Sequence, residues 1–511
     1  MRFAFDSNWL GGECLTIHLR VLLQDITSTA LNHSFIIEVV SWPIAGLQQY
    51  ILQLELVCSP NDNYQYDDND LLTGGTAGEW HERYRRGGYH PVHLGDVFHG
   101  RYRVFRKLGF GSFATVWLAK DEQLNRYVAL KIPTADEERP GYEGDILESL
   151  KTTSDHSGQL HVQLLLDRFD ILGPNGRHKA LVLEPMSQSM RDHLMTVQRY
   201  EDEAAREAEP RQTFVQHVCK QLLLGLDYIH SRGIVHRDVH PANVLFAPQS
   251  DLDRLSQTEI QSDLWTYPDA DRNYLVRKDR QPLDDSDPKY IAQSRPLRDG
   301  LHMTGPPPPF RVILSDFGAA ATLDKIDDGH HAYPAQYRPP EVVFKLPLSQ
   351  KSDIWALGCT IYQLLTKCHL FEVSQWGSPQ EQDNEHIQGL VEVLGPLPAD
   401  LFALWTDRAA HVDEEGNLLP KVIEEGISEP LNESLQTEKP KGISDQDLAL
   451  FEEFLRCMLR FHPMQRLSAA ELLKHPWLAA CEEVEPDRLS DSSVPSTPHL
   501  GVTQEIDADG S

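Results

Sequence analysis

The cysteines of this 511-residue chain form no pattern: seven, an odd number, stand at Cys14, Cys58, Cys219, Cys359, Cys368, Cys457 and Cys481, with no CxxC spacing. That excludes a zinc ribbon and a disulfide framework and predicts a reducing compartment, cytoplasmic or nuclear. Long apolar runs are lacking too. The most apolar stretch, Phe35 to Val57, is broken by Glu38, Pro43, Gln48, Gln49, Gln53 and Glu55, so no segment reads as a membrane span. Arg2, Asp6 and Glu13 interrupt any early apolar core, which argues against a secretory signal. Basic residues are scarce: 47 Lys and Arg against 77 Asp and Glu leave a formal charge of -30. Such a balance repels nucleic-acid phosphate and anionic membrane and attracts basic peptides; the plainer alternative is a generally acidic soluble surface.

What is present divides the chain unevenly. Residues 1–78 carry no motif and stay unassigned, as a disordered or spurious lead or a small accessory piece. From Tyr102 the pattern turns strand-like, through Tyr102-Arg103-Val104, Thr115-Val116-Trp117-Leu118-Ala119 and Tyr127-Val128-Ala129-Leu130-Lys131-Ile132, each bounded by turn residues. This predicts an antiparallel small lobe over residues 100–184, with a short helix at Glu143 to Leu150 and a last strand and hinge at Leu181-Val182-Leu183-Glu184. Phe214, Val218, Leu222 and Leu226 then recur every fourth residue and mark a buried helix, opening a mainly helical large lobe over 185–480. Between Phe246 and Val312 lies an Asp- and Pro-rich insert, about 247–310, ending in Pro306-Pro307-Pro308-Pro309. It far exceeds the ~12 to 15 residues beyond which structureless loops are uncommon, so it reads as functional or disordered. Without a clear apolar pattern, it is expected to be separable from the rest. The tail, 481–511, is acidic and Ser/Pro-rich and predicts disorder.

The chemistry concentrates in two strings. Val235-His236-Arg237-Asp238-Val239-His240-Pro241-Ala242-Asn243 is followed by Leu314-Ser315-Asp316-Phe317-Gly318. Together they resemble the halves of the phosphoryl-transfer site of protein kinases, and the resemblance implies that Asp238 orients the attacking hydroxyl while Asn243 and Asp316 hold Mg2+ on ATP. Upstream, Leu108-Gly109-Phe110-Gly111-Ser112-Phe113-Ala114-Thr115-Val116 sits between two strands, where a phosphate-covering hairpin belongs. Gly109 and Gly111 let the backbone approach a nucleotide; Leu108, Val116 and Ala129 would line its base, with Glu184 at the hinge. Lys131 ends the next strand and needs an anionic partner. Glu143 is the better candidate, having Ile146 and Leu147 three and four residues on, with Glu148 its competitor. Alone, a Gly-x-Gly is more often a plain hairpin turn; Lys131 behind it carries the reading.

These motifs, with Tyr337-Arg338-Pro339-Pro340-Glu341, Ser352-Asp353-Ile354-Trp355-Ala356-Leu357-Gly358 and Arg466, arrive in the order of the eukaryotic protein kinases, which the chain resembles from residue 79 to about 480. Within them it is similar to the serine/arginine-rich protein kinases, the kinases of splicing factors. Three segments carry that likeness: Glu79-Trp80-His81-Glu82-Arg83-Tyr84-Arg85-Arg86-Gly87-Gly88-Tyr89-His90-Pro91-Val92, the long insert, and Val391-Glu392-Val393-Leu394-Gly395-Pro396-Leu397-Pro398. The last resembles a feature of the wider group containing cyclin-dependent, mitogen-activated and Clk-type kinases. The resemblance implies an α+β, two-lobed kinase fold and an ATP- and Mg2+-dependent serine/threonine kinase. It implies a monomer with Arg/Ser-rich protein substrates and no direct nucleic-acid or membrane partner.

Three departures bear on activity. Arg237 stands where this subfamily often has Thr, yet Asp316 to Glu341 offers only Thr322 as a non-tyrosine hydroxyl, so activity without loop phosphorylation is expected. Ala114 replaces the third glycine. His240 occupies the place of a lysine that neutralises the transferring phosphate, and a neutral imidazole stabilises less charge than an ammonium, so reduced turnover is expected. That residue supports a competing reading as a pseudokinase or scaffold; a Clk-like kinase is a weaker third, which the 79–92 segment disfavours. From Glu372 to Glu453 acidic side chains outnumber the basic Arg408, Lys421, Lys439 and Lys441, with runs at Asp413-Glu414-Glu415 and Glu424-Glu425. They form either a docking surface for arginine or a solvated acidic loop.

Overall fold

The computed structural model describes residues 38–41, 50–53, 71–72 and 79–479, apart from 137–141, 153, 201–210, 250, 256–271, 278–281, 298–309, 327–331, 375 and 421–428. Most of the motif-free lead, the Pro306 to Pro309 run, Glu424, Glu425 and the acidic tail thus lie outside the described residues. The chain divides into two units, Met1–Asp68 and Asn69–Ser511. In the first, β1 (Glu38–Ser41) and β2 (Tyr50–Gln53) pair antiparallel, with Glu38 opposite Gln53. The second opens with the two-residue β3 (Leu71–Leu72).

Six strands then build one antiparallel sheet: β4 (Val97–Phe98), β5 (Tyr102–Gly111), β6 (Ala114–Asp121), β7 (Arg126–Pro133), β8 (Leu165–Gly173) and β9 (Gly176–Leu183), in the order β4-β5-β6-β7-β9-β8. A sheet with one wet face alternates apolar and polar residues, but Tyr127 to Ile132 is buried throughout, which requires cover on both sides. On one face Tyr102, Val104, Trp117, Val128, Leu130, Ile132 and Val182 pack together. On the other, Ala129, Leu181 and Leu183 meet Ile146, Leu147 and Leu150 of α1 (Tyr142–Leu150) and run on into the large-lobe core.

The large lobe is helical, as α2 (Met190–Tyr200), α3 (Arg211–Ser231) and the helices Gln350–Thr366, Pro379–Leu394 and Asp445–Met458. Val218, Leu222 and Leu226 of α3 are fully buried, but Phe214 is only partly so. A four-residue spacing drifts against the 3.6-residue turn, so the buried stripe widens to Val215, Cys219 and Ile229. Ser349 and Ser352 close a reciprocal capping box on the Gln350–Thr366 helix, whose Ile354, Trp355, Ala356 and Leu357 are all inaccessible to solvent. The architecture is two-lobed and α+β, an antiparallel sheet followed by a mainly helical lobe, as the resemblance implies.

The insert departs from expectation. Past the two-residue β10 (Ile234–Val235), its two ends meet where β11 (Val244–Phe246) pairs with β15 (Val312–Leu314), Phe246 opposite Val312. Between them β12 (Arg272–Tyr274) pairs with β14 (Tyr290–Ala292), and β13 (Val276–Arg277) pairs with β3. Tyr290 and Ala292 close the outer face of the sheet, and Leu297 packs on Leu118 and Tyr127. Arg106 donates to the carbonyls of Arg295 and Pro296 at 2.8 and 2.7 Å, and the Arg295 amide donates to Lys107 O at 2.9 Å. This part of the insert is therefore small-lobe structure and not a separable spacer. Its few apolar residues share no single period because they serve separate clusters: Tyr290 and Ala292 one face of the sheet, Leu297 another patch, and Leu275 and Ile291 the rings of Tyr84 and Tyr89.

Candidate active site

Two polar groups face each other across the cleft between the lobes. On the small-lobe side, Lys131 projects from β7, and its Nζ lies 2.7 Å from Glu143 Oε1 on α1 and 2.8 Å from Asp316 Oδ1. Glu148 turns away instead, pairing with Lys151 at 3.1 Å. Asp316 has a left-handed backbone, φ 59, and accepts from the Gly318 amide at 3.2 Å, which aims its carboxylate at the lysine. The low-dielectric surroundings oppose the charge of Asp316, but Lys131 outweighs them and holds the carboxyl at about 2. Desolvation likewise opposes the lysine's charge, and the two carboxylates override it, raising the ammonium's pKa. Phe317, beside Asp316, is fully buried among Ile146, Leu147 and Leu150 and meets the His236 ring edge-on at 4.8 Å. That packing ties α1, and with it Glu143, to the Asp316 turn.

On the large-lobe side, the backbone of the Asp238 loop hangs on one carboxylate. Asp353, fully buried on the Gln350–Thr366 helix, accepts from the amides of His236 and Arg237 at 2.8 and 2.9 Å and pairs with His230 at 2.9 Å. Burial works against its charge, and His230, the His236 ring and the His236 amide reverse that, so its pKa falls below the usual carboxylate value. Asn243 Nδ2 donates to Asp238 Oδ2 at 2.8 Å and to Asp238 O at 2.9 Å. Asp238 Oδ1 is buried and has no hydrogen-bond partner; His240 Nε2 lies 3.3 Å away and forms an ion pair with it when the ring is protonated. The His240 ring stacks on Tyr337 at 5.6 Å, and its Nδ1 accepts from the Ala242 amide at 3.3 Å. The two sides are joined through backbone, since the Ser315 amide donates to Asn243 O at 2.9 Å beside the β11–β15 pairing.

The remaining candidates line the cleft roof and rim. Gly109 and Gly111 lie on the β5–β6 hairpin with open space where a Cβ would stand, and neither has a positive φ. Their use is room for an approaching group and not backbone freedom. Leu108 and Val116 pack partly buried against the core that includes Ala129. At the hinge, the Glu184 carbonyl accepts from Gln163 at 3.1 Å, and its carboxylate faces Arg311 at 3.5 Å. Arg237, also left-handed at φ 65 and 4% exposed, donates to Ala319 O at 2.5 Å and Ile326 O at 3.5 Å. Farther out, Arg466 and Glu341 form a two-point ion pair, 2.8 and 2.7 Å, with side chains 0% and 1% exposed.

Sequence reasoning missed one set of contacts at this site. Tyr89 Oη donates to Gly111 O and Arg83 Nη2 to Ser112 O, both at 2.6 Å, from a segment ahead of the sheet. No local signal marks them, because the partners are backbone carbonyls that any residue supplies.

The protein kinase domain family matches residues 102–256 and 308–478, leaving out the middle of the insert. The chain belongs to the protein kinase family. A serine/threonine protein kinase of Aspergillus fumigatus is 30% identical over 396 residues, covering 77% of this chain and 88% of that protein. The serine/threonine-protein kinase SRPK of Physarum polycephalum is 31% identical over 435 residues, 81% of this chain and 93% of that one. SRSF protein kinase 3 of Homo sapiens is 27% identical over 530 residues, 77% and 89% of the two chains. The kinase is thus a serine/threonine protein kinase of the SRPK type, and membership of that fold implies use of ATP.

Proposed function

We propose that this kinase transfers phosphate from Mg2+-ATP to serines in Arg/Ser-rich proteins, with Asp238 receiving the serine hydroxyl. One observation carries the catalytic half: Asp238 Oδ1 is a buried carboxylate oxygen without a hydrogen bond, while Oδ2 is held by Asn243. A buried acceptor without a hydrogen bond costs free energy, and a substrate hydroxyl would supply one at the position a base needs. The donor set suits Mg2+. The Asn243 amide nitrogen is committed to Asp238, which leaves its oxygen for a cation, and Asp316 stays ionised at any working pH. Among the described residues no cluster of three or more acidic, His or Cys side chains is fit to hold a metal, so the ion would depend on phosphate oxygens and water as well. When bound, Mg2+-ATP supplies the phosphoryl group and the cationic charge beside it. Lys131, steadied by Glu143, would hold phosphate under the Gly109–Gly111 hairpin, with Leu108, Val116 and Ala129 against the base and Glu184 at its edge. His240, near Asp238 and stacked on Tyr337, would flank the transferring group.

The substrate class rests on the relatives and on charge. Glu372 loses water and sits near Glu385, and both effects push its carboxyl up, so a guanidinium brought between them would be favoured. Glu414 and Glu415 stand exposed. Arg237 spends its guanidinium on Ala319 and Ile326 carbonyls, which supports activity without a phosphate on the loop. The test is Asp238→Asn with Mg2+-ATP and an Arg-Ser repeat peptide. Phosphate incorporation should fall at least about 1,000-fold while ATP-analogue affinity stays within about twofold, since the side chain acts on the nucleophile. Wild-type turnover in that variant would defeat the assignment, and equal rates on a generic basic protein would defeat the substrate class.

A further inference from the structure

The segment before the sheet, residues 79–92, has no place in the chemistry above, yet it is bound at every step. Glu79 is 3% exposed and pairs with Lys107, itself 1% exposed, near the end of β5; Tyr84 Oη donates to the same carboxylate. The chain then turns through Gly87, φ 80, and Gly88, where a Cβ would stand 1.9 Å from Arg83 O. That turn is closed by the Tyr89 amide donating to Arg83 O at 2.9 Å, which brings the Arg83 guanidinium to 5.6 Å from the Tyr89 ring. Gly88 O accepts from the Ala135 amide beyond β7 at 3.0 Å, and Asn175, fully buried in the β8–β9 turn, donates to Tyr89 O at 2.6 Å. From the outer side, Leu275 and Ile291 of the insert pack on Tyr84 and Tyr89.

A strap so anchored presents two donors to the tip of the Gly-rich hairpin, at Gly111 O and Ser112 O, both 2.6 Å away. In a trans peptide the carbonyl and the following N–H point in opposite directions. Fixing Gly111 O and Ser112 O toward the strap therefore turns the Ser112 and Phe113 N–H groups away from it. We infer that Arg83 and Tyr89 are positioning residues: they hold the hairpin tip with its amides presented for phosphate and so set nucleotide affinity. Neither touches the nucleotide in this reading, which rests on the proposed function above.

The experiment measures Mg2+-ADP affinity by fluorescence titration, the KM for ATP, the KM for an Arg-Ser peptide and the melting temperature, in the full chain and in Tyr89→Phe, Arg83→Met and their double variant. Tyr89→Phe deletes only the hydroxyl. Each single variant should weaken ADP and raise the ATP KM about three- to tenfold, the share of one hydrogen bond, and the double variant more. The peptide KM should stay within about twofold, and Arg83→Lys should recover part of the loss because an ammonium still donates to Ser112 O. Wild-type ADP binding with unchanged affinity in the double variant overturns the strap alone. A parallel rise in both KM values with a lower melting temperature also overturns it, since the segment is then only structural. A wild-type chain that binds no ADP overturns the strap and the kinase reading together.

Discussion

Replacing Arg466 with Met tests whether the large lobe depends on one buried charge pair. The guanidinium donates twice to Glu341 and also to Arg460 O at 2.8 Å, Lys351 O at 2.9 Å and Phe461 O at 3.2 Å, while lying 5.0 Å over the Trp355 ring. Methionine fills much of the same volume but leaves the Glu341 carboxylate buried with Ser352 Oγ, at 2.7 Å, as its remaining partner among these contacts. Removing one member of a buried pair costs about 3 to 5 kcal/mol, because the other charge stays desolvated. At about 1.2 °C per kcal/mol for a domain of about 400 residues, the melting temperature should drop by about 4 to 6 °C. Glu341→Leu combined with Arg466→Met removes both charges and should recover part of that loss, as apolar replacement of buried pairs often does. The measurement is a thermal melt followed by circular dichroism on Arg466→Met, Glu341→Leu and the double variant. A shift below about 2 °C in Arg466→Met, or a double variant that loses the sum of the single losses, would refute the argument.

His386 is fully buried, stacked on Phe371 at 5.6 Å, and both ring nitrogens lack partners. Burial, then Arg338, lowers its pKa to about 3, so the unfolded chain takes up a proton below about 6.5 that the folded one refuses. Stability from this group is full above about pH 6.5 and declines by about 1.4 kcal/mol per unit as pH falls toward 3; His386→Leu should flatten urea midpoints measured between pH 6 and 4. Ile291→Ala in the insert, a residue 4% exposed, should cost about 2 to 4 kcal/mol by urea denaturation, and a loss below about 0.5 would return the insert to the role of free spacer. For the Arg-Ser peptide, the KM should rise with ionic strength more than turnover falls, and charge reversal at Glu414 and Glu415 should mimic salt; unchanged peptide affinity would make those residues plain solvated surface.

The kinase fold was legible because its signals are local. Lys131 lies near the end of a strand, Asp238 and Asn243 share one loop, and Asp316 opens a short turn, so each motif needs few neighbours to be read. Glu143 was separable from Glu148 by helical phase alone, since Ile146 and Leu147 lie three and four residues after Glu143 and face the core. What stayed hidden depends on distant partners. Tyr290 and Leu297 look like stray apolars in a polar insert until the sheet they cover is present, and the even burial of Tyr127 to Ile132 hinted at that cover without saying what supplied it. Arg83 and Tyr89 were invisible for a different reason: their partners are main-chain oxygens, which no side-chain pattern encodes.

The closed base of the insert gives it mechanical access to the catalytic seam. Both of its ends enter at the Phe246–Val312 rung, and two rungs further along the same ladder Val244 faces Leu314, next to Asn243 and Ser315. A pull that separates the insert's two ends therefore loads this ladder as a zipper, one rung at a time, and not as parallel bonds sharing the force. Three rungs separate a tug on the insert from the backbone that joins the two halves of the cleft.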